Sequence, residues 1–205
     1  MTIDKIRTII ENDGAVIMPT ETVYGLFAKA LSETAVNHVY ELKQRPRDKA
    51  MNLNVSNLND IHYFSQNPPF FLEKVYNSFM PGPLTIILKA NNNVPVWINS
   101  GLATVGFRVP KHEKTLQLIN MIGPLIGPSA NLSGKESGRY FQDIQAQFSQ
   151  ELVGFEDDQA LTGVDSTILD LSGQQAQILR QGAITKEEIL AAVPEIEFEE
   201  MSTVS

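Results

Sequence analysis

Short apolar runs, bounded by glycine, proline or small polar residues, alternate along the chain with segments of helical periodicity. This alternation restricts the fold more than any other feature, because strands that are each followed by a helix build α/β layers. Buried strands are expected near residues 15–18, 53–55, 84–88, 104–109 and 124–126. Helical spacing predicts helices over residues 4–12, 32–43, 69–79 and 113–121, with a weaker one over 141–148. Ser32 is placed to cap the second of these and Pro46 to close it off. Residues 19–25 read as a loop or the start of a helix. A hairpin is expected from 166–171 and 176–179 around Ser172-Gly173, and Thr185-Lys-Glu-Glu188 opens a last helix with a capping box. With 205 residues and no repeat or linker, the reading is one domain over 1–194 and a loosely ordered acidic tail over 195–205.

Several chemistries are excluded. No apolar run approaches the roughly 20 residues that cross a bilayer, so no membrane association is expected. The N-terminus, Met1-Thr-Ile-Asp-Lys, lacks a basic start with an apolar stretch behind it, which argues for the cytoplasm. The absence of cysteine removes disulfides, thiol nucleophiles and thiolate metal sites. Neither a P-loop nor G-x-G-x-x-G occurs. His38, His62 and His112 lie far apart without metal-ligand spacing and read as structural or surface groups. Gly127-Pro-Ser-Ala-Asn131 nearly matches the hydrolase elbow G-x-S-x-G, but no histidine follows Ser129 to complete the order serine, acid, histidine. What remains suits an enzyme that positions reactants and neutralises phosphate charge.

The net charge of −8 makes whole-surface attraction to nucleic acid unfavourable. Against it, Lys43, Arg45, Arg47 and Lys49 crowd into seven residues, a local basic cluster that fits a specific anionic ligand. Lys43 and Arg45 read either as cations complementing a helix C-terminus or as a polyphosphate clamp. Period 2 sets Thr104, Gly106 and Arg108 on one face of a strand, which is either solvent-exposed or a cleft wall. Gly127-Pro-Ser-Ala-Asn131 follows an apolar strand, where α/β sheets bind ligands, but it also reads as an ordinary turn with a helix cap.

Seven motifs occur in order: Pro19-Thr-Glu-Thr-Val-Tyr-Gly-Leu26, Lys43-Gln-Arg-Pro46, Pro81-Gly-Pro-Leu-Thr85, Val105-Gly-Phe-Arg-Val-Pro110, Pro128-Ser-Ala-Asn-Leu-Ser-Gly134, Val164-Asp-Ser-Thr-Ile168 and Leu179-Arg-Gln-Gly182. Together they resemble the YrdC-type threonylcarbamoyl-AMP synthase family in its short, single-domain form, over about residues 10–189. The resemblance implies a twisted, mixed open α/β sheet flanked by helices around a concave basic cleft. It implies a nucleotidyltransferase that makes threonylcarbamoyl-AMP and pyrophosphate from L-threonine, bicarbonate and ATP, for threonylcarbamoyladenosine in tRNA. A separate tRNA-threonylcarbamoyl transferase machinery would take the product, and direct tRNA binding is not expected. Mg²⁺ is expected to be held mainly by phosphates, since no protein cage is visible.

The resemblance also implies roles. Lys43 and Arg45 would be catalytic and, with Lys49, Thr104, Ser129, Asn131 and Arg180, would bind ATP. Thr20, Asn54, Arg108, Ser129 and Ser166 would bind threonine, with Arg108 on its carboxylate. The loop 133–140, with Gly134 and Gly138, is expected to help cover the cleft. Three departures stand out: Lys49 where many members have asparagine, Asn54 where they have histidine, and Gln181 where they have proline. Asn54 leaves open a paralogue that binds nucleotide but ignores threonine, and the family's basic cleft leaves open an RNA-binding module.

Overall fold

The computed structural model describes residues 1–199. Eight strands form one mixed sheet in the order β1-β2-β6-β3-β5-β4-β7-β8: β1 (Val16–Met18), β2 (Gly25–Lys29), β3 (Asn52–Asn54), β4 (Leu84–Lys89), β5 (Thr104–Arg108), β6 (Leu125–Ile126), β7 (Thr167–Asp170) and β8 (Gln177–Arg180). Two pairings, β3 with β5 and β4 with β7, are parallel, and the others are antiparallel. The helices are α1 (Ile3–Glu11), α2 (Glu33–Lys43), α3 (Leu58–Phe64), α4 (Leu72–Phe79), α5 (Val96–Asn99), α6 (Glu113–Ile122), α7 (Phe141–Gln145) and α8 (Lys186–Ala192). The expected α/β class is observed.

Local chemistry sets the element ends. Ser32 caps α2 by accepting from the Ala35 amide, and Thr185 and Glu188 form a complete capping box on α8. The helix expected from residue 69 begins at Leu72, with Phe71 as its N-cap after a turn at residues 70–71. α7 stops at Gln145, short of the expected 148. The hairpin of β7 and β8 forms with a bulge between Ile168 and Leu169.

Three elements were not anticipated. β2 is buried on both faces and so shows no alternation. α3 is short, although Asn57 caps it through the Asp60 amide. α5 is a single turn.

Two cores follow from strand parity. Leu26 and Ala28 join the larger core, while Phe27 points the other way to meet Ile6, Ile10, Leu118 and Ile119 of α1 and α6. Further along the sheet, Leu53, Phe107 and Ile86 face the larger core. Their neighbours Asn52, Asn54, Arg108 and Thr85 turn to the opposite face, and that face carries the cleft.

The tail departs from expectation where it is described. Ile196 is 3 % exposed, and Phe198 bridges Ala176 through backbone bonds at residues 197 and 199. Burial of Ile196 and this added pairing hold residues 195–199 against the rest of the fold. Residues 200–205 of the expected tail lie outside the described residues.

Candidate functional site

The cleft opens across β3, β5, β4 and β7 and has a cavity volume of about 200 Å³. Three arginines line it, Arg45, Arg108 and Arg180, against one carboxylate, Asp165. Of the residues singled out from sequence, Thr20, Arg45, Asn54, Arg108, Ser129, Ser166 and Arg180 line this cleft together. Lys43, Lys49, Thr104 and Asn131 do not, nor does any residue of the loop 133–140 expected to cover it.

Each departure has a local cause. Gln44 ends α2 in the left-handed region at φ 50°, and this kink sends Lys43 and Arg45 to different places. Lys43 is 2 % exposed and donates through Nζ to the carbonyls of Ser129 and Asn131. Burial first, and then the nearby Arg45, push its amine down from 10.5 to about 7. Lys43 therefore ties the end of α2 to the 129–131 loop. Asn131 is 7 % exposed and donates to the carbonyls of Leu132 and Lys135, so its amide shapes the same loop. Lys49 takes part through its backbone, its carbonyl accepting from Arg45 Nε at 3.0 Å and Tyr40 Oη at 2.9 Å. Thr104 shares the face of Arg108 but sits at the far end of β5, opposite Lys89, beyond the cleft.

Arg45 is the cluster's contribution to the cleft. Its Nε and Nη2 donate to the carbonyls of Lys49 and Ala50, the latter at 2.8 Å. These bonds fix the guanidinium plane at the rim, and burial lowers its pKa. Across the cleft, Arg180 donates from Nε to the Ser166 carbonyl and from Nη2 to Ser166 Oγ, both at 3.0 Å, and lies 3.6 Å from Asp165. Ser166 Oγ also meets Thr85 Oγ1 at 3.1 Å.

Arg108 is held from one side. Its Nη2 donates to Thr22 Oγ1 at 2.7 Å and Glu21 Oε1 at 3.0 Å, with Thr20 Oγ1 at 3.4 Å. Glu21 is itself fixed by the Lys111 amide through Oε2. Arg108 Nε is buried and has no partner among the described residues. Nη1 also has no acceptor among the described residues but, unlike Nε, is not buried, so it is the donor open to an anionic ligand arriving from the cleft.

Thr20 spends its hydroxyl locally: it donates to the Val23 carbonyl at 2.6 Å and accepts from the amides of Thr22 and Val23. This turn presents Thr22 to Arg108. Tyr24, also in the cleft wall, donates to Asp158 and accepts from the Asp157 amide; burial first, and then the Asp158 carboxylate, raise its pKa. Glu21, Thr22, Tyr24, Thr85 and Asp165 were not singled out from sequence, although three of them lie in the motif beginning at Pro19. Among the described residues, no group of three or more His, Asp or Glu side chains is placed to hold a metal ion. Nor is any helix there long and apolar enough to cross a membrane.

A family model, Sua5_yciO_yrdC, described as Telomere recombination, matches residues 8–182. The chain is 37 % identical over 183 residues to a threonylcarbamoyl-AMP synthase of Pyrococcus abyssi, covering 88 % of this chain and 54 % of that protein. It is 34 % identical over 188 residues to a threonylcarbamoyl-AMP synthase of Bacillus subtilis, covering 90 % and 54 %. The chain thus spans about half the length of these two relatives. The crystal structure of P. abyssi Sua5 complexed with L-threonine superposes with a TM-score of 0.90 at 35 % identity, over 96 % of this chain and 58 % of that one. On the match over residues 8–182, the chain belongs to the Sua5/YciO/YrdC family.

Proposed function

We propose that the chain is an L-threonylcarbamoyladenylate synthase, a nucleotidyltransferase that joins L-threonine, bicarbonate and ATP and releases pyrophosphate. The observation that carries this reading is one cleft with separate guanidinium sites: Arg108, whose accessible Nη1 has no acceptor among the described residues, on one side, and Arg45 and Arg180 on others. Arg108 suits the threonine carboxylate, and Arg45 and Arg180 suit the ATP phosphates. The names of the P. abyssi and B. subtilis relatives, and the threonine complex of the former, support the same assignment.

The threonine amine and bicarbonate give a carbamate and water. A carbamate oxygen then attacks the α-phosphorus of ATP. The new O–P bond forms as the bond to the β-phosphate bridge breaks, and pyrophosphate leaves with the electron pair. Arg45 and Arg180 offset the charge that builds on the phosphates. Ser129 and Ser166 add hydroxyls to the cleft lining, while Lys43 and Asn131 hold the 129–131 loop in shape.

The cleft's one carboxylate, Asp165, lies against Arg180, and Glu21 beside the cleft is engaged by Arg108, so neither fits a resident metal. Mg²⁺ enters the proposal only as a companion of the ATP phosphates. The reaction is placed in the cytoplasm, where its product would pass to a tRNA-threonylcarbamoyl transferase machinery. Incubation with ¹³C-bicarbonate, threonine and ATP, followed by mass spectrometry, tests the assignment. The expected product is threonylcarbamoyl-AMP carrying the label; AMP and free threonine as the only products, from rapidly quenched samples, would refute it.

A further inference from the structure

The floor of the cleft holds two carboxamides that the protein's own bonding leaves free. β3 presents Asn52 and Asn54 on one face, with Leu53 between them turned to the core. Asn54 is 3 % exposed and lines the cleft, yet its carboxamide has no hydrogen-bond partner among the described residues. Asn52 lines the same cleft and is likewise unpartnered there. Each lies over a bare glycine: a Cβ at Gly106 would collide with Asn52 Oδ1, and one at Gly127 would come within 2.8 Å of Asn54 Nδ2. Asn52 is exposed and Asn54 is buried apart from the cleft, so both carboxamides keep their donors and acceptors for a ligand there.

Their position says which part of a ligand. Asn54 pairs in register with Arg108 across β3 and β5. Asn52 lies about 7 Å back along the strand, toward Ala50, whose carbonyl holds the Arg45 guanidinium. The order is therefore guanidinium, carboxamide, carboxamide, guanidinium. A ligand with a carboxylate at Arg108 and a phosphate at Arg45 lays its middle section over the two asparagines. In the reaction proposed above, that middle section is the carbamate, a planar group with one N–H donor and oxygen acceptors. A carboxamide offers the matching acceptor and donors in the same plane.

We propose that Asn52 and Asn54 form a seat for the N-carboxylated amine, the carbamate formed from the amino acid and bicarbonate. This rests on the synthase reading. The amine gains the carboxyl carbon, bicarbonate loses its hydroxyl as water with the amine proton, and the charge stays at minus one. Hydrogen bonds from the seat hold the carbamate against loss of carbon dioxide and leave one oxygen directed at the α-phosphate.

The test is the bicarbonate dependence of pyrophosphate release by wild type, Asn52→Ala and Asn54→Ala. Threonine affinity is measured beside it by calorimetry without bicarbonate. The seat predicts a rise of about tenfold or more in KM for bicarbonate in each variant, with threonine affinity unchanged. An unchanged bicarbonate KM in active variants overturns the proposal. So does a parallel loss of threonine affinity, which assigns these groups to the amino acid itself. Should Asn54→Ala fail to fold, the more exposed Asn52→Ala decides the matter alone. Wild type that releases no pyrophosphate with all three substrates overturns the synthase reading itself, and the seat with it.

Discussion

Replacing Lys43 by methionine separates a buried charge from the fold it serves. In the folded chain the amine falls from 10.5 to about 7, chiefly through burial, and the residue is 2 % exposed. A folded-state pKa below the unfolded value means that the unfolded chain holds the proton more tightly. The resulting loss of stability is complete below the folded pKa and is relieved as pH rises toward 10.5. With these two values, linkage makes the wild-type protein about 2 kcal/mol more stable at pH 9 than at pH 7 through this group alone. Lys43→Met has no such group, so the difference between the two proteins should shift by that amount over the same window. Against the shift stand the carbonyls of Ser129 and Asn131, which both favour the ammonium. Urea denaturation of both proteins at several pH values between about 7 and 9 reads the result directly. Parallel curves would refute the reasoning and show that the two carbonyls keep the amine charged.

Thr22→Val keeps the shape of the side chain and removes the acceptor 2.7 Å from Arg108 Nη2; KM for threonine should rise about tenfold in steady-state kinetics while kcat changes little. Arg45→Ala should lower kcat/KM for ATP by about 100-fold or more, with threonine affinity by calorimetry unaltered. Ile196→Ala should lower stability by about 3 kcal/mol in urea, since the side chain is 3 % exposed in the larger core; a loss near zero would show that the segment after residue 194 adds nothing to that core.

The sequence made some of this legible because its rules act locally. Period 2 through Thr104, Gly106 and Arg108 put Arg108 on the face that becomes the cleft. The Thr185 and Glu188 pattern marked the start of α8. What escaped depends on conformation or on distance in the chain. One residue in the left-handed region, Gln44, decides that Arg45 reaches the cleft and Lys43 does not, and spacing carries no trace of that turn. Glu21 and Thr22 act on Arg108 across more than 80 residues, so nothing near Arg108 announces them. β2 hid because burial on both faces removes the alternation by which a strand is recognised. The tail looked solvated by composition, yet Ile196 alone gives it an anchor that its acidic neighbours obscure.

The central claim is that one cleft joins threonine, bicarbonate and ATP. Pyrophosphate release from ATP, measured with each of the other two omitted in turn and with serine and glycine in place of threonine, tests it most directly. The account predicts release that requires both threonine and bicarbonate and falls sharply with glycine. Release that proceeds equally without threonine, or none from protein shown to be folded, would contradict it.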